Sequence, residues 1–457
     1  MTATNGAAGG GDGGSGGGGG TLLDMNRYQW TVLFAAWLGW GFDVFDGLLF
    51  NFVAPNAVPT LLDLPIGSAA AKAATFRWTG VLNAILLIGW GAGGILFGHV
   101  ADRIGRMRTL MLTMLLYAIG TAACALATNM WMLMAFRVVA SLGIGGEWAA
   151  GAAMVAEVVP EKRRVEAGAL LYTSAPLGLF LARFANSIIA GDLLKGNPST
   201  SWRFVFLCGL IPAAVAFVVR IFVREPERWK QVAESTVHPR IRELFTPEHR
   251  RATLSGFAMA VIALITWWTV NAFIQTVSVG LAEVRAVAQG LDRAATLALR
   301  AEWLNTATDA FNVGGLLGTL LTIPAAKKMG RRKMFGIYFG LSAVAVMATF
   351  GLDLPPTTRL YMYFFIGLTV FGVFGSFTYY LPELFPTRLR GTGAGFCYNV
   401  GRFVAAGGPF LVGTIASRGG VDALTSAMHL LFFAGLVPLV GVMLSPFVFE
   451  TKGRQLA

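Results

Sequence analysis

The sequence predicts an all-α membrane protein of twelve transmembrane helices, folded as two pseudo-symmetric six-helix bundles, and three observations carry that expectation. The first is composition: 55% of the 457 residues are hydrophobic and 13% charged, with a mean hydropathy of +0.63, far too apolar for an ordinary soluble domain. The second is segmentation. Apolar runs of roughly twenty residues, the length that crosses a hydrocarbon core, recur near 30–55, 78–100, 108–128, 131–156, 167–190, 203–223, 253–279, 303–325, 334–352, 359–382, 391–416 and 423–448. The third is an internal repeat. Ala101-Asp102-Arg103-Ile104-Gly105-Arg106-Met107-Arg108 returns 225 residues later as Ala326-Lys327-Lys328-Met329-Gly330-Arg331-Arg332-Lys333, each between two apolar runs. The same offset maps Glu225 onto Glu450, and one residue of drift aligns Glu157-Val158-Val159-Pro160 with Glu383-Leu384-Phe385-Pro386. Duplicated halves in a membrane chain point to a transporter.

In chain order, residues 1–26 read as a Gly-rich disordered cytoplasmic tail with no apolar stretch of a cleavable signal. Residues 27–223 read as the first six-helix bundle, 224–252 as a polar cytoplasmic linker, 253–449 as the second bundle and 450–457 as a cytoplasmic C-terminus. The segment 281–302, of mixed charge, is expected to be a short surface helix or a long extension of helix 7. Of the 36 Lys and Arg, about 24 fall at the two ends and in the loops after helices 2, 4, 6, 8 and 10, which puts both termini in the cytoplasm of a plasma membrane, the inner membrane if the cell is bacterial. That distribution explains the net charge of +12 as a topology signal, and no nucleic-acid partner is expected. Cys124, Cys208 and Cys397 lie inside predicted spans without paired spacing, so neither a disulfide framework nor a metal site is expected.

Ionisable residues inside apolar spans are costly and mark function. Asp43 and Asp46, three apart on helix 1, share a face, and burial with mutual repulsion favours their protonation while a nearby arginine opposes it. Such a site can load and release a proton. Arg137 enters helix 4 at a similar depth and is the expected salt-bridge partner of Asp46. Glu147, beside the glycine run Gly143-Ile144-Gly145-Gly146, is a proton relay or a helix-packing acid. Arg183 on helix 5 and Arg402 on helix 11 each need an anion or a hydrated cavity. Arg402 lies near mid-helix with Asn399 three residues back and Tyr398 four back, a carboxylate fork with polar and aromatic flanks. Trp267, Asn271 and Gln275 on helix 7, and Asn305, Asp309 and Asn312 on helix 8, form polar stripes expected to line a cavity or bond across helices. Asp102, Arg103 and Arg106, with Glu157 and Arg164 in the next hairpin on the same side, can latch a gate.

The segment Gly94-xxx-Gly98-xxx-Asp102-Arg103-x-Gly105-Arg106, with Arg137, Gly143 to Gly146 and Glu157 to Arg164, resembles the major facilitator superfamily over nearly the whole chain after the tail. Asp43-Val44-Phe45-Asp46 followed by Phe52-Val53-Ala54-Pro55 is similar to the first helix of aromatic-acid:proton symporters and to sialate and monocarboxylate permeases. Gly145-Gly146-Glu147-Trp148 and Asn399-x-Gly401-Arg402 are similar to the same organic-acid group, whereas Glu450-Thr451-Lys452-Gly453-Arg454 looks like sugar porters. Val44 stands where the aromatic-acid carriers have glycine, and Lys327 stands where the first hairpin has Asp102. The resemblance implies the major facilitator fold, a gating role for the hairpins and coupling between the helix 1 acid and Arg137. The expected function is import of a small organic acid anion, a monocarboxylate or aromatic acid, with protons by alternating access. A proton-coupled sugar or polyol symporter is the alternative, and a solute receptor that does not transport is a remote one. No enzyme activity is expected, because no nucleophile–base or metal-ligand spacing stands out. The expected partners are the organic anion and the lipid bilayer, with the proton as coupling ion, no cofactor, and a working monomer.

Overall fold

The computed structural model describes residues 25–104, 106–159, 163–211, 214–215, 218, 240–386 and 389–452. Among these residues all regular structure is helical. The first half comprises α1 (Arg27–Leu61), α2 (Ala69–Ile104), α3 (Arg106–Cys124), α4 (Met130–Val158), α5 (Val165–Leu193) and α6, described over Pro198–Cys208. The second half comprises α7 (Arg250–Ala288), α8 and α9 as the two limbs of Arg293–Gly351, α10 (Pro356–Glu383), α11 (Arg390–Arg418) and α12 (Ala423–Phe447). Each predicted span therefore coincides with a helix, the sixth, 203–223, over its described part. Of the segment 224–252, the described part begins at Arg240, and Ile241–Phe245 forms a 3₁₀ turn ahead of α7.

Local chemistry sets the ends. Asn26 closes a reciprocal cap on α1, its Oδ1 accepting from the Gln29 N–H at 2.9 Å while its own N–H donates to Gln29 Oε1 at 3.0 Å. Asn129 and Asp292 cap α4 and α8 in the simpler way, accepting from the N–H groups of Met132 and Ala295. The segment expected to be a surface helix or an extension of α7 is a helical hairpin: α7 runs to Ala288, Gly290 turns at φ +62°, and α8 begins at Arg293. Gly330 separates α8 from α9 at φ +80°, a conformation glycine adopts without penalty, and a Cβ there would meet the Glu450 carboxylate at 2.7 Å.

The repeat is visible in the packing. A Cβ on Gly93 of α2 would sit 2.1 Å from the Leu142 carbonyl of α4, and one on Gly318 of α8, 225 residues on, 2.0 Å from the Leu368 carbonyl of α10. Small residues thus let the same two helix pairs touch backbone to backbone in both halves. The third helix of each triplet is peripheral. Leu112, Leu115 and Ile119 of α3, Phe204 and Leu207 of α6, Ile337, Leu341 and Val344 of α9, and Phe433, Leu439 and Met443 of α12 are exposed. An apolar exterior at helical spacing is what a hydrocarbon solvent requires. The halves meet where α1 faces α7, α2 runs along α11, and α5 packs on α8 and α10. The α2–α3 and α8–α9 hairpins mark one face of the molecule, called the hairpin face below.

Candidate functional site

Between the halves, aromatic side chains from both sides close around one guanidinium. Arg402 on α11 is 2% exposed. Its guanidinium carbon lies 4.4 Å from the Trp90 ring centroid and 4.8 Å from that of Tyr398, and Nη1 donates to Asn399 Oδ1 at 2.7 Å. Trp90 continues to Trp40 at 5.9 Å and, edge-on, to Trp268 at 5.8 Å. Tyr172 stands 6.1 Å from Trp40 and 6.0 Å from Phe374, while Trp267 meets Phe371 at 5.4 Å. A π-helical turn at Gly367–Phe371 and a 3₁₀ turn at Gly372–Ser376 interrupt α10 where these two phenylalanines face the layer. The result is a ring-lined layer that holds Arg402 as a planar cationic fork, stacked and oriented before any ligand arrives. Asp43, from the other half, acts electrostatically on Arg402.

The two acids of α1 part company. Both are buried, but three residues leave side chains about 60° apart around a helix, enough to divide them between two environments. Asp43 looks across to Arg402, whereas Asp46 stays inside the first half near Thr121 and Gly209. The expected salt bridge between Asp46 and Arg137 is not formed. Arg137 instead donates to the main-chain carbonyls of Asp46, at 3.2 Å, and Gly47, at 2.5 Å. Its guanidinium is thereby bound to the backbone of α1, close enough for its charge to reach Asp46, whose carboxylate lies beside the Thr121 hydroxyl but outside strict hydrogen-bond geometry.

The polar stripes split in a similar way. Asp309 pairs with Arg183 at 2.5 Å, and Asn305 Nδ2 donates to Ser187 Oγ at 3.3 Å, so α8 is tied to α5 across the halves. Asn271 and Asn312 keep both amide atoms without partners, as do Gln275 at Oε1 and Trp267 at Nε1, although all four residues are buried. Each such atom costs about 1–3 kcal/mol when nothing meets it. Asn271 and Gln275 lie one and two turns beyond Trp267 toward the face opposite the hairpins, about 6 and 12 Å along the helix.

At the hairpin face the second half assembles the residues that the repeat singled out. Arg331, the counterpart of Arg106, donates to Glu383 at 2.8 and 3.2 Å, and Glu383 accepts from Thr451 Oγ1 at 2.6 Å. Glu450 accepts from the N–H groups of Arg331, Lys452 and Arg332. Burial raises its carboxyl, but those three donors and the Arg331 charge outweigh it and hold the group below the usual carboxylate range. Lys327 crosses to the first half and pairs with Glu166. The side chains of Asp102, Arg103, Arg106, Glu147, Glu157 and Arg164 lie outside the described residues.

Sequence reasoning missed Trp40, Trp90, Tyr172, Trp268 and Phe374, because an aromatic in an apolar span ordinarily reads as core; Trp40, three residues before Asp43, was the available signal. The sequence profile described as Major Facilitator Superfamily matches residues 30–409. A cis,cis-muconate transport protein of Acinetobacter baylyi is 28% identical over 79% of this chain and 84% of its own. A gentisate transporter of Corynebacterium glutamicum is 25% identical over 84% of this chain and 81% of its own. The xylose transporter of Escherichia coli, in a partially occluded inward-open conformation, has the same fold, with a TM-score of 0.71 at 18% identity over 94% of this chain and 100% of that one. With its duplicated halves and apolar exterior, the chain is a multi-pass membrane transporter, not an enzyme, and belongs to the Major Facilitator Superfamily.

Proposed function

We propose that this transporter carries a small organic acid anion, a monocarboxylate or aromatic acid, inward together with a proton, by rocking its halves about the Arg402 layer, with the hairpin face in the cytoplasm. The observation that carries the reading is Arg402 itself. A buried guanidinium cannot shed its charge and needs an anion. Asp43 supplies one from the opposite half, and a substrate carboxylate can take its place when the halves rearrange. The surrounding rings suit a planar, unsaturated skeleton, a chemistry shared by muconate and gentisate, which the names of the two relatives specify. Asp46 is the group suited to carry the proton, since a fully buried carboxylate is costly as an anion, the Thr121 hydroxyl beside it offers at most one donor, and protonation removes that cost. One proton and one monocarboxylate cross without net charge, whereas a dicarboxylate such as muconate needs a second proton.

The unpartnered amides of Asn271 and Asn312, with the unpartnered Oε1 of Gln275, favour a second reading, a proton-coupled carrier of a neutral sugar or polyol. Arg402 separates the two. Removing one partner of a buried charged pair costs about 2–5 kcal/mol, so purified Arg402→Gln should bind gentisate and cis,cis-muconate roughly 30-fold to several thousand-fold more weakly. Arg402→Lys keeps the charge, loses the stacked fork and should recover little. Parent-like affinity in both folded variants, or parent protein that takes up polyols and no acid, would overturn the organic-acid reading.

A further inference from the structure

Away from the hairpin face, a cleft opens between the halves. It is lined by Pro55 of α1, Lys72 and Phe76 of α2, Thr276 and Glu283 of α7 and Leu424 of α12. The cleft is lined by one cation and one anion, Lys72 and Glu283, and Arg300 behind Glu283 makes the ionic cluster unequal. Glu283 accepts Lys72 at 3.0 Å from the first half and Arg300 at 3.4 Å from its own half, and Arg300 also donates to Asn56 at 3.2 Å. Two cations therefore share one carboxylate, and Glu283 and Arg300 are both 8% exposed. The Thr276 hydroxyl, on a residue 6% exposed, lines the same cleft without a hydrogen-bond partner.

We propose that this cleft is a docking site for the carboxylate of the incoming substrate, with Lys72 as its receiving cation and Thr276 as a hydroxyl donor. The inference rests on the organic-anion reading above. The geometry makes the exchange inexpensive. When a substrate carboxylate takes Lys72, Glu283 keeps Arg300 beside it, so no buried carboxylate is stranded, and the one negative charge of that carboxylate balances the one surplus cation. The same exchange removes the only ion pair that joins α2 to α7 among the described residues. Docking and release of this face are thus one event. Lys72 and Trp90 lie on the same face of α2, about 27 Å apart along the helix.

The test is initial-rate uptake of labelled gentisate and cis,cis-muconate in membrane vesicles of both orientations. Lys72→Gln should raise the half-saturation concentration about three- to tenfold more for entry at this face than at the hairpin face, and Lys72→Arg should recover most of the loss. Glu283→Gln, which removes the competing carboxylate, should lower it at this face. An equal rise from both sides, a change in maximal rate alone for Lys72→Gln, or an unchanged or raised value for Glu283→Gln would overturn the docking role. Parent vesicles that take up neither acid would instead overturn the organic-acid reading.

Discussion

Reversing the charge at Lys327 should open the hairpin face, and restoring the pair in reverse should close it again. Lys327 occupies the position that is Asp102 in the first repeat, and it pairs with Glu166 of the other half. Its side chain is 48% exposed and that of Glu166 19%, so solvent screens the attraction and the pair contributes about 0.5–1 kcal/mol. Lys327→Glu loses that and adds a repulsion of similar size, about 1–2 kcal/mol in all. That sum favours the opened state roughly 5- to 30-fold. Thr378 of α10 is the reporter, because its Oγ1 lies 2.8 Å from where a Cβ on Gly168 of α5 would stand, and this half-buried side chain gains access when α5 and α10 separate. In a background without Cys124, Cys208 and Cys397, maleimide should modify Thr378→Cys that much faster once Lys327→Glu is added. Adding Glu166→Lys should return the rate close to the parent value. A single variant that reacts at the parent rate, or a double variant more reactive than either single one, would refute the latch.

Asp46→Asn keeps the size of the side chain but cannot cycle a proton, so accumulation against a gradient should be lost while exchange of labelled for unlabelled acid persists; normal accumulation by this variant would remove Asp46 from coupling and leave Asp43 as the candidate. Glu450 supports the joint between the α8–α9 hairpin and the end of α12. Because its carboxyl is held below the ordinary value of 4.5, its stabilisation is complete above that pH and is lost as pH falls through the lower folded-state value. The thermal midpoint of detergent-solubilised Glu450→Gln should therefore lie a few degrees below the parent at pH 7, with the gap closing only below about pH 4.5. A gap that is absent at neutral pH, or unchanged at pH 3, would contradict the role.

How much of this was legible in sequence depended on whether a residue obeys the repeat. Gly93 and Gly318 do, and so do Arg106 with Arg331, Glu225 with Glu450 and, with one residue of drift, Glu157 with Glu383. In the second half Arg331, Glu383 and Glu450 gather at one hairpin within that half, where local spacing and hydropathy decide the structure. Asp46 and Arg137 map onto Asn271 and Met362, so that ionisable pair belongs to one half alone. The side chains that bridge the halves break the offset. Asp43 maps onto Trp268, Arg402 onto Leu177, Arg183 onto Gly408 and Asp309 onto Ala84; Lys72 falls on Leu297, Glu283 on Val58, and Lys327 on Asp102. A two-fold arrangement would allow each such pair twice, since residue i of one half meets j of the other and j meets i, yet each pair here occurs once, and so the 225-residue offset holds no record of it. Helical periodicity, which reports faces of a single helix, carries no signal for which residue of the other half a side chain will meet.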